Sequence, residues 1–232
     1  MAVMLDDKYI HDRHTMHRWL RSQAPICEAV LPDGRRVWLI SRYADVLAAL
    51  TPSPAVPVPG DVDAVLARLD GDFDLLADFA RPVAGDNAVA HLIANGVVDL
   101  LRHPEQVGVN VAELSRHDGP YGMALRTAHE TISLAGVDIE AGETIAVLVG
   151  SANRDPVMFD RPDELDLGRN TTGHLTLGDH EELVGAAITK LRQRFPNLAL
   201  SGEPTRLDDV VINGYATVPV NAGQVGPAPQ SR

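Results

Sequence analysis

The 232-residue chain holds a single cysteine, Cys27, which excludes an intramolecular disulfide framework and any zinc or iron-sulfur site built from several cysteines of one chain. Clustered Lys and Arg are also missing. With a formal charge of -12, the chain lacks the basic face that phosphate-backbone binding requires, and no nucleic-acid partner is expected. No apolar run approaches the roughly 20 residues that span a bilayer, and residues 1–8 lack the charged-then-apolar order of a signal peptide. These absences leave a soluble globular protein with no membrane partner, expected in the cytoplasm. No internal repeat is present. What is present is 45% hydrophobic, ample for a buried core.

Helical spacing over 12–23 sets Met16, Trp19 and Leu20 on one inward side. Strand-like runs at 27–31 and 36–40 flank Pro32-Asp33-Gly34, a hairpin turn in which glycine supplies a positive φ. Residues 41–50 read as a helix with Val46, Leu47 and Leu50 inward, ended by a proline-rich connector at 51–60. Short helices are expected at 61–69, opening on Asp61 as N-cap, and at 73–79. The clearest helix is 87–102, with Val89, Leu92, Ile93, Val97, Leu100 and Leu101 in register and Pro104 beyond its end. Helices at 107–117 and 183–195, strands within 132–148 and a strand at 210–220 complete the pattern. The reading is a single domain over 1–222, with 223–232 as a disordered tail. The acidic residues between Asp61 and Asp78 read as a solvated face.

Several stretches then fall into one recognisable order. They are Ala24-Pro25, the run from Leu31 through Arg42-Tyr43-Ala44-Asp45-Val46, the end of the 87–102 helix with His103-Pro104-Glu105-Gln106, and Glu113-Leu114-Ser115-Arg116. Gly136 to Ile145, Ala152-Asn153-Arg154-Asp155-Pro156, Phe159 through Arg169 and Gly214-Tyr215 to Pro219-Val220 follow. A lone E-x-x-R occurs by chance in many helices, but the collinear set resembles the soluble bacterial branch of the cytochrome P-450 family. The resemblance implies a mixed α and β fold, mainly α, with a small β-sheet region, shortened relative to the family. The missing length falls between Leu50 and Asp72, where the family has haem-contacting helices, and near 82–84, where it carries the helices that roof the substrate pocket.

Haem-thiolate chemistry needs a cysteine thiolate on iron to promote O–O cleavage. The family's ligand loop follows a His-Leu-x-Phe-Gly run. Here His174-Leu175-Thr176-Leu177-Gly178 leads to Gly185-Ala186-Ala187 in an alignment that puts Leu183 at the ligand position and shortens the loop. Leucine cannot ligate iron, and Cys27 reads as a small buried hydrophobe in the hairpin. His180 offers only a globin-like imidazole as a minor alternative ligand. No haem or other cofactor is therefore expected. Ala84-Gly85-Asp86-Asn87-Ala88 admits two readings: the family's A-G-x-[DE]-T oxygen-activation pattern with Asn87 and Ala88 replacing the acid and the threonine, or a helix N-terminus capped by Asp86.

The resemblance implies that Glu113 and Arg116 form a structural pair usually completed by a third arginine, whose place here falls on Glu164. It also implies that Arg126 and His174 stand at positions that contact haem propionates. His11, His14 and His17 share one broad helix face, but without a further ligand beyond Asp7 they read as solvated rather than metal-binding. No residue is assigned a catalytic role, and no metal is expected. The leading expectation is a haem-free homologue that is not a working monooxygenase and that stabilises a partner enzyme, such as a glycosyltransferase, in natural-product biosynthesis. A cofactor-independent cyclase or isomerase using His129, Glu130 or His180 on a polyketide-like substrate is one alternative. A residual haem-binding monooxygenase or a non-functional relic is the other.

Overall fold

In the computed structural model, which describes residues 3–50, 60–178 and 180–223, the N-terminal hairpin forms where its alternation predicts it. The chain runs through β1 (Val3–Met4), α1 (Asp7–His11), α2 (Arg13–Gln23), β2 (Ile26–Val30), β3 (Arg36–Ile40) and α3 (Tyr43–Ala49). It continues with α4 (Val62–Leu66), β4 (Asp72–Asp74), a π-helix (Leu75–Ala80), α5 (Arg81–Ala84), α6 (Asn87–Arg102) and α7 (Val111–Asp118). Next come β5 (Ala124–Thr127), β6 (Ile132–Leu134), β7 (Val137–Ile139), β8 (Thr144–Val147), α8 (Val149–Ala152) and α9 (Glu181–Arg194). The short strands β9 (Ala199–Leu200), β10 (Thr205–Arg206), β11 (Tyr215–Thr217) and β12 (Pro219–Asn221) close the described chain. Residues 51–59 of the 51–60 connector and 224–232 of the 223–232 tail lie outside the described residues.

The main sheet has the order β1-β2-β3-β8-β5. Gly34 turns the β2–β3 hairpin with a φ of 86°, and β3 then pairs in parallel with β8, joining the hairpin to the later strands as expected. Both sheet faces are covered. Trp38, Ile40, Ile145, Val147 and Ala124 face one apolar cluster, whereas Val37, Leu39, Ala146, Leu148 and Leu125 face another. This two-sided burial explains why Ile145-Ala146-Val147-Leu148 is continuously apolar instead of alternating.

A third cluster belongs to the helices. α6 is buried along almost its whole length, with α7 and α9 packed against it and α4, α5 and the π-helix around the same core. Gly96 permits this close crossing: a Cβ there would lie 3.1 Å from Leu114 and 3.2 Å from Ile188. Asp86 is the α6 N-cap, accepting from the Ala88 and Val89 amides at 2.8 and 3.1 Å. Among the described residues, no helix is long and apolar enough to cross a membrane.

Local pattern misled the reading in identifiable places. Residues 73–79 are not one helix, because β4 is drawn into antiparallel pairing with β12, and the chain turns helical only at Leu75. The helix read at 107–117 begins at Val111, since the Asn110 side chain caps it by accepting from the Glu113 amide. Strand structure read over 210–220 is confined to β11 and β12. On α2, Leu20 is buried and Met16 packs on the same cluster as read, but Trp19 is exposed, and Arg13, His17 and Arg21 are buried. His17 is not solvated, because Tyr9 of α1 covers it, with the phenol oxygen 2.9 Å from Nε2. On α3, Val46 is buried but Leu47 is 52% exposed.

Candidate functional site

The most elaborate polar centre grows from one turn of α7. Spacing of three residues puts Glu113 and Arg116 on one face, and both side chains are fully buried. Arg116 grips the carboxylate bidentately, Nε to Oε2 at 2.7 Å and a terminal nitrogen to Oε1 at 2.9 Å. Its remaining donors reach the Asn153, Pro162 and Glu164 carbonyls at 2.9, 2.8 and 3.2 Å. The guanidinium carbon also sits 5.4 Å from the centre of the Phe159 ring.

A third arginine does complete the network, and it is Arg169. Its Nε donates to Glu113 Oε1 at 3.1 Å, and its terminal nitrogens donate to the carbonyls of Asp160, Arg161 and Glu164. Glu164, the position read from sequence, contributes only its carbonyl to the centre, while its carboxylate pairs with Arg161 at the surface at 2.7 Å. The same Glu113 oxygen accepts from the Asp166 amide at 3.0 Å. Burial alone would raise the Glu113 carboxyl, yet Arg116, the Asp166 amide and Arg169 together hold it below its ordinary value.

Asn153 extends this centre to the loop bearing His174. Its side-chain amide donates to the Leu175 carbonyl at 2.8 Å, and its side-chain oxygen accepts from the Leu175 amide at 2.7 Å. The Tyr43 hydroxyl donates to the Gly173 carbonyl at 2.6 Å. The 173–175 loop is thus fixed against the sheet face that carries Ala124, Ile145 and Val147. Arg126 lies on that same face, since β5 alternates and both Ala124 and Ala128 point there. His174 itself is half-buried, its Nδ1 3.2 Å from the Thr171 carbonyl and its Nε2 3.9 Å from Glu181.

Cys27 occupies the opposite face. It pairs with Leu39 across the hairpin and packs with the cluster of Leu39, Ala146 and Leu148, whereas Arg126 faces the other way. Leu183, in the first turn of α9, packs on the helical core. The Asp86 cap settles the local role of 84–88 as a helix start. His129 and Glu130 are exposed in the turn after β5, and His180 is the N-cap residue of α9.

No protein-family model matches the chain. Curated relatives do. It is 36% identical over 139 residues to the biotin biosynthesis cytochrome P-450 of Bacillus subtilis (strain 168), a match covering 51% of this chain and 35% of the relative. It is 32% identical over 241 aligned positions to cytochrome P-450 105C1 of a Streptomyces species, covering 90% of this chain and 61% of that one. The chain belongs to the cytochrome P-450 family. Its fold agrees: the tirandamycin C-bound P-450 monooxygenase TamI superposes with a TM-score of 0.80 at 18% identity, covering 95% of this chain and 100% of that chain. The chain spans 35% and 61% of the length of the two curated P-450 relatives it matches.

Proposed function

We propose that this P-450-fold protein carries no thiolate-ligated haem and acts as an accessory protein, binding and stabilising a partner enzyme of natural-product biosynthesis such as a glycosyltransferase. One observation carries the reading: the sole cysteine, Cys27, lies on the opposite face of the main sheet from Arg126. Bringing that thiolate to the Arg126 side would require β2 to leave the hairpin and its backbone pairing with β3. In the motif alignment Leu183 stands at the ligand position, and its apolar side chain serves core packing instead. The residues present do not fit a thiolate-bound haem, and no oxidative step is assigned to them. Arg126 and His174 remain as positions from which the haem-propionate role has been lost.

The scaffold, by contrast, is maintained. A centre as fully bonded as that of Glu113, Arg116 and Arg169 is costly to disturb, and its retention supports a protein that works as a folded body. TamI is a monooxygenase bound to tirandamycin C, and the Bacillus relative is named for biotin biosynthesis; both support a biosynthetic setting. Co-expression tests the proposal. A glycosyltransferase encoded beside this protein should co-elute with it and gain activity in its presence. A monomeric protein that leaves the activity of every neighbouring enzyme unchanged would contradict the accessory role.

A further inference from the structure

Arg13 is a buried cation that, among the described residues, hydrogen-bonds no carboxylate. It is 7% exposed, and its guanidinium makes one hydrogen bond, to the Asp209 carbonyl at 2.9 Å, while Nε and the other terminal nitrogen have no partner. The nearby acids are already engaged. Asp118 accepts from Asn213 Nδ2 at 2.8 Å and lies 3.5 Å from Arg206, and the Asp209 carboxylate accepts from the Val211 and Ile212 amides. Arg206 is held over the Tyr215 ring at 4.3 Å. Asp118 pairs with Arg206, and although Asp118 and Asp209 both lie within electrostatic reach of Arg13, neither carboxylate bonds its two open donors. The Tyr9 ring lies 5.7 Å from the guanidinium carbon but fills neither open donor, and buried donors left without acceptors are costly.

The compensating partner has a place to sit. A cavity of about 90 Å³ is lined by Arg13, His14, Arg206 and Asn213 together with apolar Ile10 and Leu207, and exposed His11 forms part of its wall. That is several times the room a single water needs. His14 Nδ1 is buried there without a hydrogen-bond partner, a second orphan on the same wall. We propose that this cavity binds a phosphate oxyanion, held by the guanidinium groups of Arg13 and Arg206 with His14 and Asn213 at its sides. Arginine forks match the geometry of a tetrahedral oxyanion, and one anion would supply the acceptors that the open donors of Arg13 lack. Either free phosphate or a phosphomonoester supplies this group, the ester substituent leaving past His11.

Thermal unfolding at constant ionic strength, with chloride replaced stepwise by inorganic phosphate in one arm and by glycerol 3-phosphate in the other, tests the proposal. The melting temperature should rise with phosphate beyond the chloride control, as it does for any ligand that binds only the folded state. The arm with the steeper rise identifies the source. Arg206→Gln should weaken the apparent phosphate affinity by about tenfold or more, the loss of one charge-assisted contact. Arg13→Met should abolish the response; if that variant does not fold, Arg206→Gln, at a partly exposed side chain, decides the matter. Lys190→Gln, at the surface pair with Asp63, should leave the response intact. No phosphate-specific rise in the unmodified protein, or a rise that Arg206→Gln leaves unchanged, would overturn the proposal.

Discussion

Arg116 and Arg13 are buried to a similar degree, 1% and 7% exposed, but their surroundings differ in kind. Around Arg116, a bidentate carboxylate and three backbone carbonyls consume the donors, and a second arginine shares the same carboxylate. Around Arg13, one carbonyl is the only hydrogen-bond acceptor among the described residues, and the nearby Asp118 and Asp209 carboxylates bond other donors. The first arrangement locks α7 to the 153–169 segment and leaves nothing free to bind a ligand. The second stores unsatisfied donors beside a cavity. A buried charge centre thus reads as architecture or as a site according to whether its donors are spent within the fold.

The largest expected effect breaks the satisfied centre. Glu113→Ala strands two buried cations and should cost about 3 to 5 kcal/mol, read from chemical denaturation. A loss near that of a surface pair would mean that the centre is not closed as described.

Acid should break the histidine side of the comparison. Burial, followed by nearby Arg154, pushes His14 down to about 3, and burial followed by His14 holds His17 well below its usual range. Both are therefore neutral when folded and protonate near 6.5 when unfolded, so their contribution is complete above that pH. It is lost as pH falls below it, down to about pH 3 for His14. The slope should approach about 1.4 kcal/mol per pH unit for each histidine. Denaturation midpoints between pH 7 and 4 measure it, and His14→Gln should flatten the acid limb. Asp118 works in the same direction further down, its carboxyl held near 2 by Arg206 against the effect of burial.

Smaller changes sharpen the assignment of the third arginine. Arg169→Ala removes charge-assisted bonds to Glu113 and to backbone carbonyls and should cost about 1.5 to 3 kcal/mol. Glu164→Ala removes only the surface pair with Arg161 and should leave the midpoint unmoved. Reversed magnitudes would restore Glu164 to the network.

How much of this was legible in the sequence depended on the range of the deciding contact. The 87–102 helix and the first hairpin follow from local periodicity, turn chemistry and caps, and they form where read. The pairing of β4 with β12 joins residues far apart in the chain, so 73–79 looked helical from its own spacing. Glu113 and Arg116 carried a motif, but Arg169 enters through the path of the loop that follows Phe159, which spacing does not encode. On α2, histidines at His14 and His17 suggested solvent, and the covering Tyr9, the 206–214 segment and Ser151 of α8, which takes two hydrogen bonds from Arg21, make that face an interior. A stripe of Arg and His at positions four apart, shared with Leu20, was the available signal.

The difference spectrum of reduced, carbon monoxide-treated protein, purified after expression with a haem precursor, tests the absence of thiolate haem most directly. With Cys27 facing away from Arg126 and Leu183 packed into the helical core, no red-shifted Soret band should appear, and Leu183→Cys alone should not create one. A red-shifted band from the unmodified protein that Cys27→Ser abolishes would contradict this and return the chain to the oxidases.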